Sequence, residues 1–343
     1  MKVPSSLSSA SMAKLSNSPW LMLLPKDGGC MLYNPREGKI ERNLLEDFPG
    51  SRYLANSGNW FLVLDSGSNL FITDVFSKET IHLPSLESIR SRICTIKRIG
   101  DRGFLRLDIT NILSCDDVRG LLWVDEGGKD YVVVWFFDRE YDHDYIGFCK
   151  KGDTHYTDIP LFYPDNHWFK GLSEMVLTGY RLYITTSRRF VRVLDLSGSS
   201  FKECAKPFPM LSRYELCDSS IAVTTSGEVL LVESDPWDRC WFRLYKKDPD
   251  IEDPDSSCHA LVEVDSLGGE ALLLDLGFTV PANYTTLGVE PDSIYFTRHY
   301  RPSHWSGRDL DICVYNLASK SFNRFSDLDV TGLMDARWFL PGI

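Results

Sequence analysis

The sequence predicts an all-β fold, a six-bladed β-propeller of four-stranded antiparallel blades. Three observations predict it. A strand–turn–strand phrase recurs six times along the 343 residues. Apolar, β-branched and aromatic runs alternate with clusters of Gly, Asp, Asn and Pro from end to end, the pattern of short strands bounded by turns. No amphipathic stretch of 12 or more residues reads as a helix.

The phrase is clearest at Tyr33–Ile40, Thr73–Ile81, Leu194–Phe201 and Tyr315–Phe322. Each strand ends in Asn or Asp, whose short side chain bonds the following backbone and starts a turn. Repetition of one supersecondary unit means a radial or solenoid array. The first blade is expected from Trp20 to about Ile40, and the second at Trp60–Leu64, Leu70–Thr73 and Thr80–Leu83. The third takes Leu121–Val124, Tyr131–Phe137, Tyr145–Cys149 and Tyr156–Ile159. The fourth takes Arg181–Thr185, Phe190–Leu194 and Phe201–Glu203, and the fifth Glu228–Val232, Cys240–Tyr245 and His259–Val264. The sixth takes Ala271–Leu274, Ser293–Phe296, Asp311–Tyr315 and Phe322–Phe325. Arg98–Leu107 adds a strand to the third blade or makes the count seven. Short helical turns are expected near Leu86–Arg92 and Asp108–Leu113. The apolar C-terminal run Arg337–Leu340 is expected to join the first blade and close the ring, which removes sheet edges.

Composition excludes several function classes. A chain that is 43% hydrophobic is too apolar for disorder. With 37 basic and 48 acidic residues, a net charge of -11, it lacks the basic face that general nucleic-acid binding needs. Nine scattered cysteines without a Cys-x-x-Cys pair read as reduced core thiols, Cys149, Cys240 and Cys313 among them. The apolar run Trp20–Leu24 is too short to span a bilayer. Residues 1–18 read as a flexible leader and 19–343 as the propeller. The first 26 residues hold seven serines, three lysines and no acid, a composition shared by organellar transit segments and by plain disordered termini. Mitochondrion or another organelle is therefore one expected location, and cytoplasm with nucleus the other.

Particular stretches then match a known family. They are Ser18–Leu23, Trp60–Leu64, Ile81–Ser85, Glu270–Leu274, Asp292–Thr297 and Trp338–Pro341, in that order along the chain. In these the chain resembles the plant family built on the domain of unknown function 295, the kink-suppressor-type β-propellers. The resemblance implies a propeller that captures a protein partner, in many members behind an N-terminal F-box that binds a ubiquitin-ligase adaptor. Here about 19 residues precede the first strand, fewer than a helical F-box needs, so the expectation is a member without one.

No phosphate loop, nucleophile elbow or His-Glu-x-x-His motif appears, so neither catalytic residues nor a cofactor nor a metal is expected. Asp138–Asp144 alternates carboxylates but lacks the glycine and distal glutamate of a calcium loop. Asp248–Asp255 reads as a solvated acidic link. Arg298–Arg308 is basic and aromatic in an acidic protein; Arg, Tyr and Trp are the residue types enriched in binding hot spots, and Arg298, Tyr300, Arg301, His304 and Trp305 are the candidate partner contacts. His167–Lys170 is a weaker element of the same kind. Trp60, Trp123, Trp135 and Trp241 are expected to pack between blades. The expected function is a non-enzymatic, monomeric interaction module that binds a protein partner through rim loops. The alternatives are the substrate-recognition subunit of an F-box-type ubiquitin ligase, and an enzyme or small-ligand binder that uses the central channel.

Overall fold

The computed structural model describes residues 19–340 apart from 26–29, 36, 43–49, 76, 92–94, 108–110, 126, 139–144, 162–171, 187–189, 205–206, 211–216, 236–240, 250–260, 283–288, 299–310 and 325–332. Almost all of the described chain is strand or the turn between strands. The first sheet contains β1 (Trp20–Pro25), β2 (Met31–Asn34) and β3 (Lys39–Arg42). The second runs through β4 (Arg52–Ser57), β5 (Trp60–Leu64), β6 (Leu70–Asp74) and β7 (Thr80–His82). A three-stranded meander follows, of β8 (Ile96–Ile99), β9 (Gly103–Arg106) and β10 (Asn111–Ser114). Next come β11 (Val118–Val124), β12 (Tyr131–Phe137), β13 (Tyr145–Lys150) and β14 (Thr157–Pro160). Another sheet holds β15 (Leu172–Thr178), β16 (Arg181–Thr186), β17 (Phe190–Asp195) and β18 (Lys202–Glu203), with β19 (Phe208–Pro209) also on β17.

The last nine strands before the terminus share one sheet. Its first half is β20 (Asp218–Val223), β21 (Val229–Ser234), β22 (Phe242–Lys247) and β23 (Leu261–Val264). Its second half is β24 (Glu270–Leu273), β25 (Phe278–Pro281), β26 (Ser293–Arg298), β27 (Asp311–Asn316) and β28 (Ser321–Arg324). One parallel bridge, Val223 to Phe278, joins the halves. The final strand, β29 (Leu333–Phe339), pairs antiparallel with β1 from Trp20–Phe339 to Pro25–Leu333. The predicted union of the C-terminal strand with the first sheet is present.

The turn chemistry is also present. Asn316 Oδ1 accepts from Ser319 N at 2.9 Å, Asp74 Oδ1 from Ser77 N at 2.7 Å and Asp195 Oδ1 from Ser197 N at 2.8 Å. Each carboxylate or amide satisfies a turn N–H that the ladder leaves open. Between sheets the cores are aliphatic and aromatic, and Leu62, Val133, Trp135 and Phe104 are all excluded from water.

Three expectations need correction. Sheets are not uniformly four antiparallel strands, because β24 and β26 pair parallel and sheet sizes vary. The region Arg98–Leu107 neither extends the third four-stranded sheet nor copies it; it forms the separate meander of β8 to β10. Asp108–Leu113 is not helical where described. Residues 111–114 are β10, with Ile112 outward and Leu113 buried, and the helical turn lies after it at Cys115–Asp117. The turn expected near Leu86–Arg92 is a short 3₁₀ turn at Leu86–Ser88.

Candidate functional site

The strongest sequence candidates leave from β26. Arg298 is its last residue, paired with Asp311 across the ladder, whereas Tyr300, Arg301, His304 and Trp305 lie outside the described residues. The base of their segment is fixed in detail. The Asp275 carboxylate accepts the Thr297 N–H at 3.0 and 3.1 Å and the Thr297 hydroxyl at 2.9 Å. The same hydroxyl lies 3.2 Å from the Ala336 carbonyl of β29. Thr297 is buried, so these bonds form in a low-dielectric setting where they are strong. Below them Tyr295 meets Trp338 edge-on at 5.1 Å, and Phe296 meets Phe242 at 4.8 Å. Sequence reasoning missed Asp275, since it is 22 residues from Thr297 and belongs to a 3₁₀ turn with no periodic signal.

A second polar group gathers where β4 and β11 begin. Arg52 donates to the carbonyls of Cys115 at 2.6 Å and Val118 at 3.4 Å. Arg119 lies 3.3 Å from an Asp138 carboxylate oxygen and donates to the Asp116 carbonyl at 2.8 Å. Arg102 meets Asp116 at 2.5 Å. Burial, with the Arg119 guanidinium beside it, lowers the pKa of Arg52 below the usual arginine value. Further along, Arg337 of β29 donates to the Leu54 carbonyl at 2.5 Å and so ties the last strand to the second sheet. Arg52 and Arg337 are engaged by carbonyl oxygens across a sheet boundary and act as clamps there.

A groove of about 250 Å³ opens among the β4–β5, β6–β7 and β11–β12 turns, lined by Asn59, Trp60, Asp74, Glu79, Asp125 and Gly128. Two of its acids serve their own turns: Asp125 Oδ1 accepts from Lys129 N at 2.6 Å and Asp130 N at 2.9 Å, and Asp74 Oδ1 from Ser77 N. Trp60 forms the floor beneath Gly128, and an added Cβ there would lie 3.3 Å from the ring.

The buried thiols are chemically quiet. Burial pushes the Cys30 thiol up to about 12, and burial with Asp153 nearby raises the Cys149 thiol as well. Burial and Cys149 raise the Tyr156 hydroxyl. A thiol is nucleophilic only as thiolate, so these groups are core residues at neutral pH. Among the described residues no group of three or more His, Cys, Asp and Glu side chains could hold a metal ion. Asp138 pairs with Arg119, while 139–144, Asp255 and the rest of that acidic link from 250 on, His167–Lys170 and Cys240 fall outside the described residues. Trp60 and Trp135 pack in the core as expected. Trp123 meets Tyr180 at 5.4 Å with the rings tilted, and Arg243 covers Trp241 at 5.4 Å. No helix among the described residues is long and apolar enough to cross a membrane.

Comparison with known proteins places the chain. The model of the KIB1-4 β-propeller family matches residues 32–316. F-box protein At5g25290 of Arabidopsis thaliana is 43% identical, covering 98% of this chain and 88% of that protein. F-box protein KIB4 of the same plant is 35% identical, covering 94% of this chain and 84% of that protein. Among solved structures, oligogalacturonate lyase in complex with manganese has a TM-score of 0.41 at 9% identity, covering 90% of this chain and 73% of that one; similarity so low carries no argument. A family match across most of the strands described above, with relatives at 35% identity or more covered over 84% or more of their length, leaves one conclusion: the chain belongs to the KIB1-4 β-propeller family.

Proposed function

We propose that the protein is a non-enzymatic interaction module, a six-bladed propeller that presents Arg298, Tyr300, Arg301, His304 and Trp305 to a protein partner. The observation that carries this reading is the fixed base of that segment, the Asp275–Thr297 hydrogen bonds at the end of β26. Loops held by a rigid scaffold commonly carry recognition, and arginine, tyrosine and tryptophan dominate interface energetics. The six-blade count is supported by the packing of successive strands, β4 beside β11, β11 beside β15, β15 beside β20 and β20 beside β25, with β8 to β10 outside that series. Protonated core thiols support the non-enzymatic reading. The partner is a protein, bound by a monomer.

Affinity purification with the parent chain and with the five residues changed to Ala tests the reading. Loss of specific partners from the variant is expected; an unchanged partner set overturns the assignment.

A second reading is favoured by the names of the relatives, which are F-box proteins. In it the propeller is the substrate-recognition part of an F-box-type ubiquitin ligase. Co-purification with the ligase adaptor supports it, and absence of the adaptor from the complex counts against it.

For location, the Ser-rich, acid-free residues 1–18 are read as an organellar targeting segment, mitochondrial in the first instance. A fluorescent fusion is expected to lose organellar location when they are removed. Even spread through cytosol and nucleus, with or without them, overturns this.

A further inference from the structure

We propose that the groove among the β4–β5, β6–β7 and β11–β12 turns is a socket for an arginine side chain of an extended segment of a partner protein. The proposal rests on the interaction-module reading and deepens it, adding a contact built from other residues. Three carboxylates line the groove, Asp74, Glu79 and Asp125, and no described lysine, arginine or histidine does. The balance holds when the turns are counted whole. Residues 57–60, 74–79 and 125–130 contain five acids and two lysines. Lys78 and Lys129 are exposed and stand outside the lining, as does Lys151, whose ammonium donates to the Lys129 carbonyl.

Acids alone do not make a site, and the floor gives an independent sign of a ligand. Trp60 is only 8% exposed, yet its indole N–H has no partner among the described residues. Most buried side-chain donors in folded proteins are bonded. The groove reaches this N–H because Gly128 leaves it uncovered: an added Cβ there would lie 3.4 Å from Nε1 and 3.3 Å from Cζ2. Gly128 has φ +63, a conformation that favours glycine, so the opening belongs to the turn itself. The walls are fixed before anything binds. Asp74 and Asp125 each use Oδ1 on turn N–H groups, and the Ser57 hydroxyl of β4 accepts from Val124 N of β11 at 3.0 Å. Asp125 Oδ2 and both carboxylate oxygens of Glu79 have no partner among the described residues. A preformed socket loses little ordering entropy when it is filled.

Charge, size and spacing select the occupant. At about 250 Å³ the groove is smaller than the roughly 300–1,000 Å³ of sites for drug-sized ligands, and it suits one long side chain. Its acids do not close on one point, since among the described residues no group of three or more His, Cys, Asp and Glu side chains could hold a metal ion. Separated carboxylates suit a broad, planar cation better than a point charge. A guanidinium presents a fixed fork of N–H donors to carboxylates and lies well against an aromatic ring. The carbonyl of the same arginine residue is the acceptor that the Trp60 N–H lacks.

The test is fluorescence anisotropy of a short labelled peptide, one arginine flanked by glycine and serine, titrated with the full chain. The same peptide with citrulline, which keeps the shape and loses the charge, is the control. Saturable binding, at least about tenfold tighter for the arginine peptide, is expected. Glu79→Gln combined with Asp125→Asn, which keeps an Oδ1 acceptor for the turn, should weaken it about tenfold at unchanged melting temperature. Trp60→Phe, which keeps a ring and removes the N–H, should weaken it about threefold or more. Equal affinity for the two peptides, no saturable binding up to about 1 mM chain, or a double variant that binds like the parent would overturn the proposal. So would displacement of the peptide by glucose, since the hydroxyls of a neutral sugar would then be the better match. Tighter binding after removal of residues 1–18 would make the chain's own lysine-bearing start the occupant, and would overturn it too. The chain with its five β26–β27 candidates changed to Ala should bind the arginine peptide like the parent, which separates failure of this groove from failure of that segment.

Discussion

The indole of Trp135 lies across Gly147, its partner in the β12–β13 register, so closely that a Cβ added to Gly147 would sit 2.6 Å from Cε2 and 2.7 Å from Nε1. Trp135 is fully buried and is held edge-on by Tyr156 at 5.5 Å and Phe137 at 5.7 Å, so it cannot swing aside. Gly147→Ala is therefore expected to destabilise the protein by about 1–3 kcal/mol through overpacking. Urea denaturation reads the loss. Pairing it with Trp135→Leu should cost less than the sum of the two single changes, since both act on one contact.

Removal of the β29 anchor should be more damaging. Trp338 is buried against Tyr295 and Leu21, on the strand that pairs with β1. Trp338→Ala is expected to cost about 3–5 kcal/mol, the range for buried aromatic truncation. Truncation before Leu333 should abolish the cooperative thermal transition and promote aggregation, measured by calorimetry and light scattering, because it leaves the β1 edge unpaired.

The Asp275–Thr297 bonds predict a local effect. Asp275→Ala leaves the buried Thr297 N–H and hydroxyl without their carboxylate acceptor, at a cost of about 1–3 kcal/mol. Hydrogen exchange should rise at the end of β26 and much less in β12. Uniformly raised exchange would mean that the carboxylate supports the whole fold and not the base of that segment.

Alkaline pH should unfold the protein through its buried acids. Burial raises the Cys30 thiol from 9.0 to about 12, and burial, with Cys149 and Asp153 nearby, raises the Tyr131 hydroxyl from 10.0 to about 12. From pH 9 to 12 the unfolded chain has lost protons that the folded chain keeps. Stability is then full below pH 9 and falls as pH rises through that window. Cys30→Ala should flatten the fall, seen in urea midpoints taken at stepped pH.

What the sequence made legible follows from where the signal lies. Strands such as β12, Tyr131–Phe137, rich in valine and aromatics, and β21, Val229–Ser234, which opens on a valine–leucine run, sit between two packed faces. The Asx turns were legible because Asn316, Asp74 and Asp195 act on residues two or three positions away. Among the strands left unassigned, β4, β15 and β20 are each the first of their sheet along the chain and mix polar with apolar residues, as in Asp218–Ser219–Ser220. Their burial comes from neighbouring sheets, so tertiary context decides them and local propensity does not. The meander was legible only in part, Arg98–Leu107 as strand, for a related reason. Its outward isoleucines break the apolar–polar alternation from which faces are read. The candidate residues from Arg298 to Trp305 were visible by composition, whereas Asp275, which anchors their base, is a long-range partner that spacing cannot reveal.

The pairing of Trp20 with Phe339 orders events in time as well as in space. During synthesis the first three strands leave the ribosome with their native neighbour still untranslated. At about 5–20 residues per second, roughly 15 to 60 s pass before β29 follows. Throughout that interval the β1 edge is a template open to other nascent chains. Dependence on chaperones should therefore track translation speed, and a circular permutant that joins the old ends, and so makes β29 and β1 consecutive, should be released from it.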